Sequence, residues 1–289
     1  MREQIILLAL GAAALVSIFI TVGIVITLFG EGLAFFSDVS VKEFLTGSTW
    51  SPRDGEWGVL PLLSGSIMIA LIAGVVAIPL GVGAAIYLSE YAAESVRRVV
   101  KPVLEILAGM PTIVLGFFAI DTLTPVLRNV GIIPTGQTFS ALSAGIVVGL
   151  LILPLICSLS EEAIRAVPRS MREGAFGLGA TKPTVSTRIV VPAALSGIVA
   201  SCVLGLSRAV GETMAVTLAA GLTPNLTADP VSEMQTITAY IVQVVRGEAA
   251  RGTTQYESIF AVGIVLFIIT FIINLVAVAI VRRFRTVYQ

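Results

Sequence analysis

Long apolar stretches with few or no charged residues constrain this chain more than any other feature. A bilayer core about 30 Å thick is crossed by roughly 20 apolar residues in a helix, which satisfies its own backbone polar groups. Six stretches meet this need: Ile5 to Phe29, Leu60 to Ser89, Ile106 to Ile120, about Phe139 to Ser158, about Ala193 to Ala220, and about Ser258 to Val281. The first is too long and too evenly apolar for the core of a cleaved signal peptide, so it reads as a retained anchor. The second carries Pro79, Gly81 and Gly83, which predicts a kink or a close helix contact. The third is short and must borrow flanking residues between Pro102 and Asp121. The fifth encloses two charges, Arg208 and Glu212.

Composition agrees with this reading. Only 12% of the residues are charged and 56% are hydrophobic, whereas soluble chains carry about 25% charged residues. The expected fold class is an all-α integral membrane protein of about six transmembrane helices. Its predicted organisation is an N-terminal transmembrane helix over 1–30, an extracytoplasmic loop over 31–59, and a core of five transmembrane helices over 60–289. A cytoplasmic loop over 160–191 interrupts that core.

Six spans put both termini on one side, and the basic residues say which. Arg2, Arg97, Arg98, Lys101, Arg165, Arg169, Arg172, Lys182, Arg188, Arg282, Arg283 and Arg285 fall on the side of the termini. The other side holds Lys42, Arg53, Arg128, Arg246 and Arg251. The positive-inside rule therefore predicts cytoplasmic termini in a multi-pass protein of the cell membrane. Trp50 and Trp57 in the outer loop read as anchors at the headgroup level.

The residue inventory removes most enzyme classes. The chain has no histidine, and Cys157 and Cys202 lie singly within apolar runs, so neither a His-based catalytic triad nor a His- or Cys-ligated metal is expected. None of the three lysines, Lys42, Lys101 and Lys182, follows a glycine. A phosphate-cradling loop ending in Gly-Lys is thereby excluded. If this chain moves a solute with ATP, another polypeptide hydrolyses it. With no internal repeat, an ion-coupled carrier built from inverted halves gains no support.

Two groups of residues point to chemistry. Arg208 and Glu212 are four apart, which in a continuous helix places them on one face within pairing reach, with Ser201 on the same stripe two turns earlier. An intramembrane arginine is costly and usually faces a protein interior or a watery path. Its planar fork suits a tetrahedral oxyanion, and a neighbouring carboxylate can accept the proton of hydrogen phosphate. The plain alternative is a salt bridge that fixes helix packing.

The second group lies in the cytoplasmic loop. Glu173, Ala175, Gly179, Ile189 and Pro192 occupy the first, third, seventh, seventeenth and twentieth places of a twenty-residue pattern. This resembles the EAA loop of ABC importer permeases, with Gly174 standing where alanine is usual and Val191 where leucine is usual. The resemblance implies a short coupling helix that docks on a separate ATPase subunit, and the local chemistry agrees: Glu173 would fall in the first turn of such a helix, and the small residues Ala175, Gly177, Gly179 and Ala180 allow close approach.

Three further runs sharpen the resemblance: Ser207 to Val216 (SRAVGETMAV), Gly58 to Tyr91, and Ala108 to Phe118 (AGMPTIVLGFF). Together they resemble the phosphate ABC transporter permease of the PstC type, from Gly58 onward. The resemblance implies a MetI-like, type I importer permease fold and a heterodimeric pore with a second, PstA-like permease. It also implies two PstB-like ATPase subunits and an extracytoplasmic phosphate-binding protein, with lipid around the pore and no nucleic acid. No cofactor is expected in this chain, since ATP and Mg are used by the partner ATPase. A permease for another solute, such as sulfate, molybdate or an amino acid, is the nearest alternative.

Overall fold

A computed structural model describes residues 2–247 and 249–284. Arg285, counted above among the inner basic residues, lies outside them. Among the described residues, five helices are long and apolar enough to cross a membrane, and six if one sharply bent pair is a single span. They are α1 (Arg2–Asp38), α3 (Leu60–Ile86), α7 (Ala141–Arg165), α10 (Val191–Val210) with the turns before it, and α13 (Thr254–Phe284). The helix α2 (Val41–Thr46) and a two-stranded antiparallel hairpin, β1 (Trp50–Ser51) and β2 (Glu56–Trp57), lie between α1 and α3.

The bundle is organised around α7, which packs against both α3 and α10. Apolar side chains gain little by leaving lipid for one another, so membrane helices associate where small residues let backbones approach. That is the arrangement here. A Cβ on Gly145 would stand 2.5 Å from the Cβ of Ile72, and one on Gly197 would stand 2.3 Å from that of Ala163. The buried set runs through Ala73, Ala77, Ala144, Val147, Val148, Leu151, Ile152 and Ile156. α1 leans on α13 at the edge and leaves Leu8, Leu15, Phe19 and Ile26 exposed, as a lipid-facing helix does.

The third span is not one helix. α4 (Glu94–Ala108) and the α5–α6 run (Thr112–Phe118, a π turn, then Thr124–Asn129) meet at 91°. Pro111 sits at the corner, where it disfavours helical geometry at Met110. α4 is amphipathic, with Val99, Val103 and Ile106 exposed along one side and Arg97, Lys101 and Glu105 on the other.

The loop predicted to begin at residue 31 is largely folded. α1 continues to Asp38, and Phe35, Phe44, Trp50, Trp57 and Tyr240 then form a cluster of edge-to-face rings. Trp50 and Tyr240 lie 4.9 Å apart between centroids. Trp50 and Trp57 are buried in this cap, so they are core residues and not exposed interfacial anchors. Each ring covers its neighbours in a segment too short to bury itself. α12 (Ile237–Arg246) supplies Tyr240 and closes the cap, and its N-terminal Thr236 accepts the Ala239 N–H.

Candidate functional site

The fifth predicted span, Ala193 to Ala220, starts earlier and breaks sooner than its sequence suggests. A helix α9 (Lys182–Val185), a π turn (Ser186–Val190) and α10 run continuously from Lys182 to Val210. The π turn has a local cause: Pro192 has no N–H to give the Arg188 carbonyl, and its ring crowds that carbonyl in a regular α turn. After Val210 the chain passes through Gly211, Glu212 and Thr213 before the short helix α11 (Met214–Ala219).

This break changes the expected charge pair. Arg208 is exposed in the last turn of α10, where a cation is favoured by the helix dipole. Glu212 lies beyond the helix end, so the one-face geometry of a residue pair four apart does not arise. Its carboxylate accepts the Ala215 N–H at 3.2 Å, while its main-chain carbonyl accepts the Thr238 hydroxyl at 2.8 Å. Among the described residues Arg208 and Glu212 form no ion pair. The guanidinium therefore keeps its fork of donors, and Glu212 is buried beside it in sequence as a tether of the break. The neighbouring Ser207 hydroxyl is buried without a hydrogen-bond partner among the described residues.

Ser201 departs from the predicted stripe. It is buried between α10 and α7, donating to the Ile198 carbonyl at 2.7 Å and lying 2.6 Å from the Ser160 hydroxyl. Its hydrogen bonds join two helices, and it does not share the exposed surface of Arg208.

The predicted cytoplasmic loop 160–191 is mostly helical. α7 extends through Ser160 to Arg165, and α8 (Arg169–Gly177) follows after a short turn. Glu173 is exposed in the second turn of α8, one turn later than expected, beside exposed Gly174. Ala175 is buried against a cluster containing Leu88, Ile164, Val185 and Val190, and Ile189 and Ala180 pack on the same cluster. Pro192 is exposed at the start of α10.

Gly179 has φ of +79°, and the end of α8 closes around it: Gly179 N–H donates to Phe176 O at 2.9 Å and Ala180 N–H to Ala175 O at 3.1 Å. This is the glycine-terminated helix end that satisfies the last carbonyls. It ends the helix and leaves Leu178 protruding, 91% exposed, with Phe176 partly exposed beside it. Neither apolar residue stood out in the sequence, because the repeat pattern constrains the residues that build the turn and not those it presents.

Arg172 anchors α8 beneath the bundle. Its guanidinium donates to the Val167 and Ile164 carbonyls and pairs with Glu90 at 3.0 Å. Among the described residues, no group of three or more His, Cys, Asp or Glu is placed to hold a metal ion.

A bundle of lipid-length helices, one of them broken just after an arginine without an ion-pair partner among the described residues, defines a polytopic membrane protein. The chain belongs to the family described as "binding-protein-dependent transport system inner membrane component", whose model matches residues 77–286. It is 36% identical over 265 residues to the probable ABC transporter permease protein YqgH of Bacillus subtilis, covering 90% of this chain and 85% of that one. It is 31% identical over 283 residues to the phosphate transport system permease protein PstC of Mesorhizobium japonicum, covering 92% and 86%. The PstC of Xylella fastidiosa is 34% identical over 252 residues, covering 81% and 76%. Among solved structures, an inward-facing MetNI methionine ABC transporter aligns with a TM-score of 0.58 at 20% identity, covering 79% of this chain and 95% of that one. A bacterial ABC transporter that imports alginate aligns at 0.64 and 16%, covering 94% and 96%. These two share the fold, a MetI-like permease architecture.

Proposed function

We propose that this chain is one pore-forming permease subunit of an ATP-driven importer of inorganic phosphate, working with a second, PstA-like permease, two PstB-like ATPase subunits and an extracytoplasmic phosphate-binding protein. The observation that carries the reading is similarity to PstC proteins over 92% and 81% of the chain. ATP and Mg belong to the partner subunits. The termini and the α8 turn face the cytoplasm, where most of the basic residues fall.

Arg208 gives the reading its chemistry. An unpaired guanidinium offers a bidentate fork to a tetrahedral oxyanion, and Glu212 lies close by in sequence to discriminate against anions that carry no proton. The segment α8, with Glu173 outward and Leu178 at its tip, is a compact knob of the size that docks in a groove. ATP-driven closure of the ATPase subunits would enter the bundle there and alternate the access of the Arg208 region between the two sides.

The test is uptake by the reconstituted complex. Arg208→Gln is expected to abolish phosphate uptake while co-purification of the subunits stays at the wild-type level; loss of assembly instead assigns Arg208 to packing. Sulfate carried as well as phosphate would overturn the choice of solute. Glu173→Lys is expected to release the ATPase subunit in a pull-down, and unchanged association would remove the coupling assignment.

A further inference from the structure

A recess of about 510 Å³ opens beside the coupling segment, lined by Ser89, Glu90, Arg97, Arg165, Arg169 and Arg172. Four guanidiniums meet one carboxylate there, contributed by four separate parts of the chain: the turn after α3, α4, α7 and α8. Bringing them together costs electrostatic repulsion, which an anion would relieve.

The inner two arginines are fixed in place. Arg97 donates to the Leu88 and Ser89 carbonyls, and Arg172 to those of Ile164 and Val167. Glu90 is engaged by Arg172. The nearest other carboxylates do not neutralise the rest. Glu94 is largely exposed and 3.9 Å from Arg97, while Glu161 is buried against Lys101 at 2.9 Å and is 3.4 Å from Arg165. Arg169 has no ion-pair or hydrogen-bond partner among the described residues, and Arg165 has only that contact with Glu161. Two forks bonded to backbone carbonyls and two with one ion-pair contact between them leave several N–H donors directed to no acceptor among the described residues.

We infer that this recess binds a phosphate group, carried as free inorganic phosphate or on a phospholipid headgroup. Converging guanidiniums match the three or more charged oxygens of such a group better than the two of a single carboxylate, and the volume lies in the range of small-ligand sites. The site does not depend on which solute the pore carries. Because α8 and the membrane helices both wall it, occupancy ties the coupling segment to the bundle.

The test uses the full chain in nanodiscs, in an Arg208→Gln background so that the proposed path does not contribute. Arg165→Gln with Arg169→Gln is the variant of choice, since neither side chain holds a backbone carbonyl. In phosphatidylcholine discs, inorganic phosphate titrated by calorimetry should bind saturably, with affinity at least about tenfold lower in the double variant, given the strength of charge-assisted hydrogen bonds. In a second arm, native mass spectrometry should find phosphatidylglycerol retained by the parent chain and lost from the double variant. Phosphate binding assigns the free anion, and lipid retention without phosphate binding assigns the headgroup. Parent and variant behaving alike with both probes overturns the site. So does a double variant that binds both probes like the parent but, in a pull-down from the assembled complex, loses its ATPase subunit, which makes the recess a protein contact.

Discussion

Gly179 and Gly174 lie in one helical knob and answer to different physics. Gly179 sits in the left-handed region at φ +79°, whereas a side chain on Gly174 would meet nothing within 4 Å. Alanine at 179 strains the backbone by about 1–2 kcal/mol, so Gly179→Ala should misplace Leu178 and weaken ATPase association in a pull-down. Alanine at 174 removes a glycine from a helix interior, worth about 1 kcal/mol in helix stability, so Gly174→Ala should leave association intact. Equal effects of the two would show that the turn geometry does not matter. The residue types at 173–192 were legible from their spacing. The exposure of Leu178 was not, because it follows from the direction in which one turn ends. Ser201 was misread for a related reason: helical spacing gives a stripe, but only packing decides whether that stripe meets a cavity or, as here, another helix through Ser160.

At the scale of elements, the cap and the broken helix set the behaviour. The cap holds Tyr240, whose hydroxyl lies 2.7 Å from that of Ser258. Burial outweighs this bond and pushes the phenol from 10.0 up to about 12. The unfolded phenol ionises near 10 while the folded one stays neutral, so the stabilisation that Tyr240 contributes is full below about pH 10 and is lost as the pH rises to about 12. The loss is about 2–3 kcal/mol. The chain's two tryptophans, Trp50 and Trp57, are both in the cap, so their fluorescence reports it directly. In Tyr240→Phe the alkaline change in fluorescence should disappear; an unchanged profile would place the sensitivity elsewhere. Hydropathy located the apolar helices but missed both interruptions, at Gly109 to Pro111 and at Gly211 to Thr213. Apolar content measures transfer into lipid and is blind to backbone direction.

At the scale of the molecule, the proposed orientation is open to a direct check. In a chain with Cys157 and Cys202 replaced by alanine, a cysteine introduced as Asp54→Cys should react with a membrane-impermeant maleimide on intact cells. One introduced as Leu178→Cys should react only after permeabilisation. The reverse pattern would invert the molecule and remove the α8 turn from any cytosolic ATPase. α8 and the cap are built at separate places in the chain, one around Gly179 and the other around Trp50, and this experiment asks whether they lie on opposite sides of the bilayer.

Much of this protein is settled by residue chemistry alone. A chain with so few charges cannot cover itself against water, and runs of apolar residues satisfy their backbone in lipid only as helices, so a polytopic helical membrane protein follows without coordinates. The spacing from Glu173 to Pro192 resembles the coupling loop of importer permeases, a likeness that rests on residue types and places alone. Tertiary structure alone decided which helices break, that the tryptophans are buried in a cap, and that Arg208 and Glu212 do not pair. It also gathered Arg97, Arg165, Arg169 and Arg172 around one recess. These outcomes depend on where helices end and which neighbours they meet, and local sequence carries no distance between residues that lie far apart along the chain.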